Sequence, residues 1–475
     1  MKQTKIVATI GPASVDVETL ARLFEAGVNV CRLNFSHSEH DWHKQCIENV
    51  REASRQTGKT VAILADLQGP RIRTAIREEF ELETGSEVVL VEKDDVEAAG
   101  EGQVIGVDQP NILAQLREGQ LILVEDGKIL LETVRQEGGG WMCRATLGGT
   151  VKNRKGMNFP GAGLDLPVLT PKDKRDVVFS LENHVDYIAL SFVGRGSDIE
   201  TLREAMREAA PERKRFPMVI SKVERSDAID NLDDIVSASD AIMVARGDLG
   251  IEVDPWRVAI LQKEIIAKCL FQVKPVIVAT QMLESMTENL RPTRAEVSDV
   301  SNAVIDHTDA TMLSGETAGG KYPVETVSMM ANIIRNTEES PFDDIYETLE
   351  THIRDKYAHM IREAYETARE HDVHAILATS STGYTGRLLS HFRPDATIYI
   401  ATEDPMTHRQ LSLVWGVTAY LFEGTVDEEE LLKLLEAKLV EDGVLSSGKK
   451  VIAIANEDVR VEEVAESRKQ KAESR

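Results

Sequence analysis

Short apolar segments rich in β-branched residues recur along the chain, and segments of helical length separate most of them. Eight of these segments share the pattern, in the order "TKIVATI", "VNVCRLNF", "VAILADL", "YIALSF", "PMVISKVE", "AIMVARGDL", "PVIVATQ" and "ATMLSGE". Strands that alternate with helices predict parallel βαβ units, and eight such strands favour a closed (β/α)8 TIM barrel over an open doubly wound sheet. We therefore predict an α/β fold built on an eight-stranded barrel.

The pattern changes between the third and the fourth of these segments. Residues 71–159 contain "EEFELETGSEVVLVE", "QLILVEDGKILLETV" and "GWMCRATLGG", which are typical of short strands joined by turns. They predict an antiparallel β-barrel domain inserted after barrel strand 3. Loops at the carboxyl ends of barrel strands carry function, so we expect this insertion to act as a lid over the site.

A third domain is predicted after a polar linker that contains Pro341. The segments "HAILATSS", "ATIYIATE", "VTAYLFE" and "KVIAIANE" alternate with helical patterns and predict a smaller α/β domain with a mostly parallel sheet. The charged final segment, "VRVEEVAESRKQKAESR", is expected to fray. The predicted division is a barrel at 1–70 and 160–340, a lid domain at 71–159 and a C-terminal domain at 341–475.

Composition narrows the class of protein. The 475 residues are 42% hydrophobic and carry a formal charge of -25, which argues against general binding to nucleic acid or anionic membranes. No apolar run is long enough to span a bilayer, and the N-terminus shows no export signal. The cysteines lack paired metal-ligand spacing and are Cys31, Cys46, Cys143 and Cys269. We expect a cytoplasmic enzyme.

Polar and charged residues stand where the predicted barrel strands end, and in a barrel these ends meet at one face. The residues with this placement are Arg32, Asn34, Ser36, Asp66, Lys222, Glu224, Arg246, Asp248, Thr280, Gln281, Ser314 and Glu316. We therefore expect residues far apart in the sequence to converge on one site.

Glu224 and Asp248 end neighbouring strands, as two carboxylate ligands of a divalent cation would, although two solvated acids would show the same pattern. Lys222 and Glu224 face the same way because they are two positions apart in a strand. The Lys222 ammonium could neutralise a transferred anion or a developing enolate, or it could reach into solvent. Arg32 and Arg73 are cations suited to phosphate, and backbone amides in "ARGDLG" could bind a carboxylate.

Two further segments carry candidate chemistry. In "HSEHDWH", the spacing of His37, His40 and His43 does not place all three on one helix face, which favours a helix start over a zinc site. The segment "TSSTGYTGR", from Thr379 to Arg387, passes from a strand into a helix. It could cradle a phosphate or serve as a simple helix cap with turn glycines.

Several segments together resemble the signatures of the pyruvate kinase family, in their usual order and over nearly the whole chain. They are "KIVATIGPAS", "CRLNFSH", "KGMNFPG", "ISKVE", "IMVARGDLGIE", "VIVATQMLESM", "RPTRAEVSDV" and "MLSGETAGGKYPVE". The resemblance implies the family's three-domain plan and transfer of the phosphoryl group of phosphoenolpyruvate to ADP, giving pyruvate and ATP. It also implies a Mg²⁺ or Mn²⁺ cofactor and a homotetramer.

The resemblance implies a role for each matching residue on the substrate side. Glu224 and Asp248 match the metal ligands, and Lys222 matches the lysine that stabilises phosphoryl transfer and the enolate. Arg32 matches an arginine that contacts the phosphoryl group. Gly247 and Asp248 match the turn that holds the substrate carboxylate.

The remaining matches concern proton transfer, the nucleotide and an effector. Thr280 matches a threonine beside the substrate methylene, and with Ser314 and Glu316 it would belong to the water network that protonates the enolate. The residues that match the nucleotide side are Asn34, His37, Arg73 and Lys155. The residues that match a loop binding the phosphate of an effector are Thr379, Ser380, Ser381, Thr382, Gly383 and Thr385.

One stretch departs from the family pattern. Many members need K⁺, bound by residues matching Asn34, Ser36 and Asp66 and by the carbonyl of Leu67, within the motif "DTKGPEIR". Here the stretch is "DLQGPRIR", in which Arg71 replaces the acid. A fixed guanidinium could substitute for the charge of K⁺ and repel that ion, so we predict activity that is independent of K⁺.

Two other classes of protein remain open from the sequence. A metal-dependent barrel lyase that acts on phosphoenolpyruvate or a 2-oxo acid could use the same two carboxylates. A catalytically silent family member could act as a regulatory binding protein, although each matched catalytic position holds a chemically competent residue. Formation of ATP that depends on ADP would separate the kinase from both alternatives.

Overall fold

The computed structural model describes residues 2–100, 102–343, 356–371, 373–424 and 427–464. In chain order, the strands are β1 (Lys5–Thr9), β2 (Val30–Asn34), β3 (Ala62–Asp66), β4 (Ile72–Ala75), β5 (Phe80–Leu82), β6 (Glu87–Glu92), β7 (Val104–Val107), β8 (Leu121–Val124), β9 (Ile129–Glu137), β10 (Gly140–Leu147), β11 (Gly149–Val151), β12 (Gly156–Asn158), β13 (Tyr187–Leu190), β14 (Met218–Val223), β15 (Ala241–Ala245), β16 (Val276–Ala279), β17 (Ala310–Leu313), β18 (Ala375–Thr379), β19 (Thr397–Thr402), β20 (Val417–Leu421), β21 (Lys450–Ala455) and β22 (Asp458–Glu463). The helices are α1 (Val17–Ala26), α2 (His40–Thr57), α3 (Pro171–Glu182), α4 (Gly196–Ala209), α5 (Ser226–Asp230), α6 (Leu232–Ala238), α7 (Arg246–Glu252), α8 (Val258–Phe271), α9 (Arg294–Ile305), α10 (Gly315–Ala318), α11 (Pro323–Glu338), α12 (Lys356–Glu370), α13 (Tyr384–His391), α14 (Pro405–Gln410) and α15 (Glu428–Glu441).

Eight parallel strands close a barrel in the order β1-β17-β16-β15-β14-β13-β3-β2, which confirms the predicted (β/α)8 fold. Alternation along each strand separates two apolar cores, one inside the barrel and one between strands and helices. In β14, Ile220 packs inside the barrel while Val219 and Val223 pack against the helices. Because Lys222 is two positions after Ile220, the same alternation turns its side chain toward the barrel axis at the carboxyl end of the strand.

The helices that flank the barrel begin at residues able to cap them. Thr170 and Asp173 form a reciprocal capping box at α3, and Thr293 and Glu296 form another at α9. Each box satisfies backbone N–H groups that have no partner within the helix. None of the described helices is both long enough and apolar enough to cross a membrane.

The lid domain is a second closed barrel, with strand order β10-β6-β7-β4-β12-β8-β9. Neighbouring strands are antiparallel, as predicted, except that β6 and β7 pair in parallel. A tight approach requires glycine at the start of β10, because a Cβ on Gly140 would lie 2.2 Å from the Leu90 carbonyl oxygen. The lid has its own core around Trp141, Ile105 and Leu131.

The C-terminal domain contains a five-stranded sheet in the order β20-β19-β18-β21-β22. The expectation that the charged final segment frays is wrong for Val459 to Glu463, because these residues belong to β22 and pair antiparallel with β21. Val459 packs against the domain core, so the alternation of valine and charged residues is that of an edge strand. Residues 465–475 and 344–355 lie outside the described residues, and the latter range includes the last six residues of the expected linker at 336–349.

The C-terminal domain packs against the amino-terminal end of the barrel, opposite the strand ends that carry the polar cluster. Lys5 Nζ donates to the Val417 carbonyl at 2.8 Å, and Arg409 Nε lies 2.6 Å from Asp186 Oδ1. The candidate effector loop is therefore placed at the far side of the barrel from the candidate site.

Candidate active site

Four charged residues meet at the carboxyl ends of β2, β3 and β14. Lys222 Nζ lies 3.2 Å from Glu224 Oε2 and 3.5 Å from Asp66 Oδ1. Arg32 Nε donates to Asp66 Oδ2 at 2.6 Å. Asp66 and Glu224 are each 1% exposed, so the cluster is almost wholly withdrawn from water. The predicted convergence of distant strand ends is present in the structure.

Burial and the neighbouring charges shift the pKa values of the side chains in this cluster. Burial would raise the pKa of Asp66, but Lys222 and Arg32 together hold it below the ordinary value. Burial would lower the pKa of Lys222, but Asp66, Glu224 and Asp248 raise it above the ordinary value. Burial raises the pKa of Glu224 despite the neighbouring ammonium. The lysine therefore stays protonated. The positive charge around Glu224 does not offset the effect of burial on its carboxylate.

That shortage of positive charge fits a divalent cation. Glu224 Oε1 accepts the Phe192 N–H at 2.7 Å, whereas the buried Oε2 accepts no hydrogen bond from the described residues and lies 3.2 Å from the Lys222 ammonium. Asp248 stands in the first turn of α7 with its side chain 33% exposed. Among the described residues, no group of three or more His, Cys, Asp and Glu side chains could hold a metal. Glu224 and Asp248 could therefore serve Mg²⁺ only if water and substrate oxygens complete its shell.

The "ARGDLG" segment begins helix α7 at Arg246, so the turn expected to hold a carboxylate is the first turn of a helix. The Gly247 N–H, expected to bind a carboxylate, donates instead to Thr280 Oγ1 at 2.8 Å. The same hydroxyl donates to the Ala279 carbonyl at 2.6 Å. A substrate carboxylate can reach this amide only by displacing the threonine hydroxyl.

Ser314 and Glu316 lie at the end of β17. Glu316 is buried, and its carboxylate accepts N–H groups from Ser314 at 2.7 Å and from Leu283 at 3.1 Å. Burial raises its pKa. The carboxylate thus joins the end of β17 to the loop after β16, which contains Thr280.

The residues expected on the nucleotide side are spread over the lid and the barrel rim. Arg73 donates from Nη1 to the Arg154 carbonyl at 3.0 Å, and Lys155 Nζ lies 3.4 Å from Glu125 Oε1. His37 is exposed on the barrel rim. Within the described part of the chain, none of these three side chains shares an ion pair or hydrogen bond with the Lys222 cluster.

The candidate monovalent-cation loop is ordered by local bonds. Asn34 Oδ1 accepts the Ser36 N–H at 3.1 Å, and the Leu67 carbonyl accepts Ser191 Oγ at 2.7 Å. Asn34 and Asp66 are neighbours in the register of β2 and β3. Arg71 is not fixed beside Asp66: its guanidinium is 42% exposed and lies 3.8 Å from Asp248 Oδ1. The extra positive charge therefore faces the candidate metal ligand.

Sequence reasoning missed two residues that support the site. Ser191 Oγ accepts from Lys222 Nζ at 2.8 Å, and its place just after β13 was a usable signal. Lys172 Nζ donates to the Phe35 carbonyl at 2.7 Å from helix α3, and nothing local indicates that contact. His40 binds the Asp176 carboxylate, and His43 binds the His37 carbonyl. Both contacts stabilise the loop after β2.

The "TSSTGYTGR" loop joins β18 to α13. Gly383 adopts a left-handed conformation at φ 76° and caps the helix. The Ser381 carbonyl accepts Thr407 Oγ1 at 2.9 Å, and Thr385 Oγ1 lies 2.7 Å from Tyr357 Oη. The Ser380 hydroxyl is buried and has no hydrogen-bond partner among the described residues. The loop is thus partly committed to contacts within its own domain.

Comparisons with known proteins cover nearly the whole chain. The family model described as pyruvate kinase, barrel domain, matches residues 1–327, and that described as pyruvate kinase, alpha/beta domain, matches residues 359–466. A pyruvate kinase of Bacillus licheniformis is 42% identical over 461 residues, which cover 96% of this chain and 78% of the relative. One of Geobacillus stearothermophilus is 42% identical over 463 residues, with coverages of 96% and 77%.

A solved structure agrees with these sequence matches. The crystal structure of a pyruvate kinase from Cryptosporidium parvum superposes with a TM-score of 0.93 at 34% identity, covering 98% of this chain and 96% of that one. The architecture is thus shared with a solved pyruvate kinase. The chain belongs to the pyruvate kinase family of phosphotransferases.

Proposed function

We propose that this enzyme transfers the phosphoryl group of phosphoenolpyruvate to ADP, giving pyruvate and ATP. The observation that carries the proposal is the buried ammonium of Lys222, which is held between Asp66 and Glu224 and close enough to Asp248 to be influenced by its charge. Phosphoryl transfer needs mainly positioned positive charge around the moving oxygens. Bound at Glu224 and Asp248, Mg²⁺ or Mn²⁺ would supply further charge neutralisation.

The other site residues follow from that assignment. Arg32 and Lys222 bind the phosphoryl oxygens, and Arg73, Lys155, His37 and Asn34 bind the nucleotide. The amides at Gly247 and Asp248 hold the substrate carboxylate once Thr280 releases the first of them. Thr280 then stands beside the methylene carbon, with Ser314 and Glu316 supporting the proton-donating water.

The lid at 71–159 closes over the barrel at 1–70 and 160–340 and excludes the water that would otherwise accept the phosphoryl group.

The test is formation of ATP from phosphoenolpyruvate and ADP with Mg²⁺. Turnover must require both substrates and the divalent cation. A lyase would consume phosphoenolpyruvate or a 2-oxo acid without ADP, and a silent binding protein would bind ligands without turnover. Either result from folded protein would contradict the proposal.

Independence from K⁺ is the finer part of the proposal. The Arg71 guanidinium, 3.8 Å from Asp248 Oδ1, adds positive charge beside the proposed metal ligand, so the site gains a cation without a monovalent ion. The Leu67 carbonyl, which matches a ligand of K⁺, already accepts a hydrogen bond from Ser191.

We expect equal rates in K⁺ and in tetramethylammonium at matched ionic strength. Arg71→Glu should make the enzyme dependent on K⁺, with activation of about tenfold or more, because it replaces a cation by an anion beside the site. Arg144→Glu, at an exposed lid position, makes the same charge change as a control and should leave the rates equal. Strong activation of the unmodified enzyme by K⁺ would contradict this reading of Arg71.

A homotetramer is supported by the outward face of α8 and the turn before it. Trp256 is 77% exposed and Ile260 is 57% exposed, about one helical turn apart. Such apolar area on a helix is typical of an interface, and the occupant we propose is a second copy of the chain. Light scattering should give a tetramer, and Ile260→Glu should shift it to smaller species. A monomer for the unmodified chain would rule this assembly out.

A phosphorylated effector is proposed for the loop of Thr379, Ser380, Ser381, Thr382, Gly383 and Thr385. Its support is the left-handed Gly383 at the start of α13 and the buried Ser380 hydroxyl, which has no partner within the described part of the chain. The test is the shift in melting temperature that sugar phosphates and nucleotides cause in the unmodified enzyme and in Thr382→Glu. No shift of the unmodified enzyme with any of these compounds would contradict the proposal.

A cytoplasmic location agrees with four cysteines that are free and buried.

A further inference from the structure

The turn after β16 has an unusual backbone. Thr280 has φ 70° and Gln281 has φ 54°, so two successive residues with side chains adopt left-handed conformations. For a β-branched residue such as threonine this conformation is sterically unfavourable. Strained backbone of this kind persists only where the surrounding contacts hold it. The contacts that hold Thr280 therefore decide where its hydroxyl points.

The Arg246 side chain supplies these contacts. Its guanidinium donates to the Thr280 carbonyl at 2.6 Å, to the Ala279 carbonyl at 3.3 Å and to the Gln281 carbonyl at 3.4 Å. Three successive carbonyls thus converge on one planar group, which lysine cannot reproduce. Arg246 is 9% exposed, so water does not compete for these bonds.

The guanidinium is itself fixed from its other side. Arg246 Nη1 lies 2.8 Å from Asp299 Oδ2 on α9 and donates to Gln262 Oε1 on α8 at 3.3 Å. The next residue along the chain, Gly247, donates its N–H to Thr280 Oγ1 at 2.8 Å. Thr280 is consequently held at its carbonyl and at its hydroxyl by adjacent residues of α7, the helix that also carries Asp248.

We propose that Arg246 is a positioning residue that acts through Thr280. It holds the strained turn so that the Thr280 hydroxyl stays at the site while the enolate is protonated. This inference rests on the proposed function. In that step, the electron pair of the enolate double bond takes a proton from water held near Thr280, a C–H bond forms, and the hydroxide left behind is neutralised by solvent.

The test separates proton transfer from phosphoryl transfer. Exchange of the methyl protons of pyruvate with D₂O, followed by NMR with Mg²⁺ and ATP present, reports on proton transfer. Arg246→Lys should lower this exchange by about 100-fold, as misplacement of a catalytic group does, while ATP formation falls far less. In a Thr280→Ala background the same change should alter the exchange by only about twofold, because the two residues act as one unit.

Two further variants complete the design. Arg51→Lys changes an arginine that donates to the Val61 carbonyl near the opposite end of the barrel, and it should leave the exchange unchanged. Asp299→Asn keeps the guanidinium and removes its carboxylate partner, and it should lower the exchange selectively but less. If Arg246→Lys does not fold, Asp299→Asn decides: a selective loss supports the proposal and unchanged exchange overturns it.

Two results with folded Arg246→Lys overturn the proposal. One is an equal loss of exchange and of ATP formation, and the other is an undiminished effect in the Thr280→Ala background. Failure of the unmodified enzyme to form ATP would instead overturn the proposed function, so the two failures are distinguishable.

Discussion

Replacing Lys222 with methionine should lower kcat for ATP formation by about 1,000-fold, the order expected when a charge that stabilises developing oxyanions is removed from a water-excluded site. The methionine side chain is similar in length, so the cavity stays filled. What is lost is the cation 3.2 Å from Glu224 and 3.5 Å from Asp66. Steady-state kinetics at saturating substrates measure the effect.

The same substitution should also destabilise the apoprotein. Two carboxylates that are each 1% exposed would lose a shared counter-charge, and an uncompensated buried charge is costly. Added Mg²⁺ should recover part of the melting temperature but not the rate. Lys274→Met is the matched control, since this lysine donates to the Ser239 carbonyl away from the site. A Lys222→Met enzyme with near-normal kcat would contradict a role for the Lys222 ammonium in phosphoryl transfer.

Replacing Glu224 with glutamine should weaken binding of Mn²⁺ by roughly 100-fold, about 2.7 kcal/mol, because one of the two proposed carboxylate ligands is lost. Glutamine can still accept the Phe192 N–H that Glu224 Oε1 now accepts at 2.7 Å, so the local fold is kept. Binding is measured by electron paramagnetic resonance of free Mn²⁺ without nucleotide, which reports on the ligands and not on turnover.

Glu252→Gln is the matched control for that experiment. Glu252 lies on the same helix as Asp248, and its carboxylate accepts a hydrogen bond from Asn158 Nδ2 of the lid at 3.1 Å. It is therefore a nearby carboxylate that binds the lid and is not a proposed metal ligand. It should leave Mn²⁺ affinity within about twofold of the unmodified value. Equal losses in both variants would mean that general negative charge, and not coordination, attracts the cation.

The fold was predictable because local pattern and global arrangement agree. Apolar runs that alternate with helices define βαβ units, and the handedness rule leaves few ways to arrange eight of them. The same pattern placed Lys222 and Glu224 on one side at the carboxyl end of β14, since strand alternation is a local property. Pairing partners are not local, which is why the parallel pair of β6 and β7 was not predicted.

Side-chain directions in the loops were less predictable. Nothing in "DLQGPRIR" indicates that Arg71 lies toward Asp248 and not beside Asp66, because that choice depends on how the lid sits over the barrel. Nothing in "ARGDLG" indicates that Thr280, some thirty residues later, occupies the Gly247 amide. Such contacts join loops of different strands and are set by tertiary packing. Only the strand ends themselves, which the barrel brings together, could be assigned from the sequence.

The most direct test of the central claim is a ³¹P NMR time course of phosphoenolpyruvate, ADP and Mg²⁺ with the unmodified enzyme. The account predicts that the phosphoenolpyruvate signal is converted one for one into the γ-phosphate signal of ATP. Release of inorganic phosphate in its place, or consumption of phosphoenolpyruvate without ADP, would contradict it.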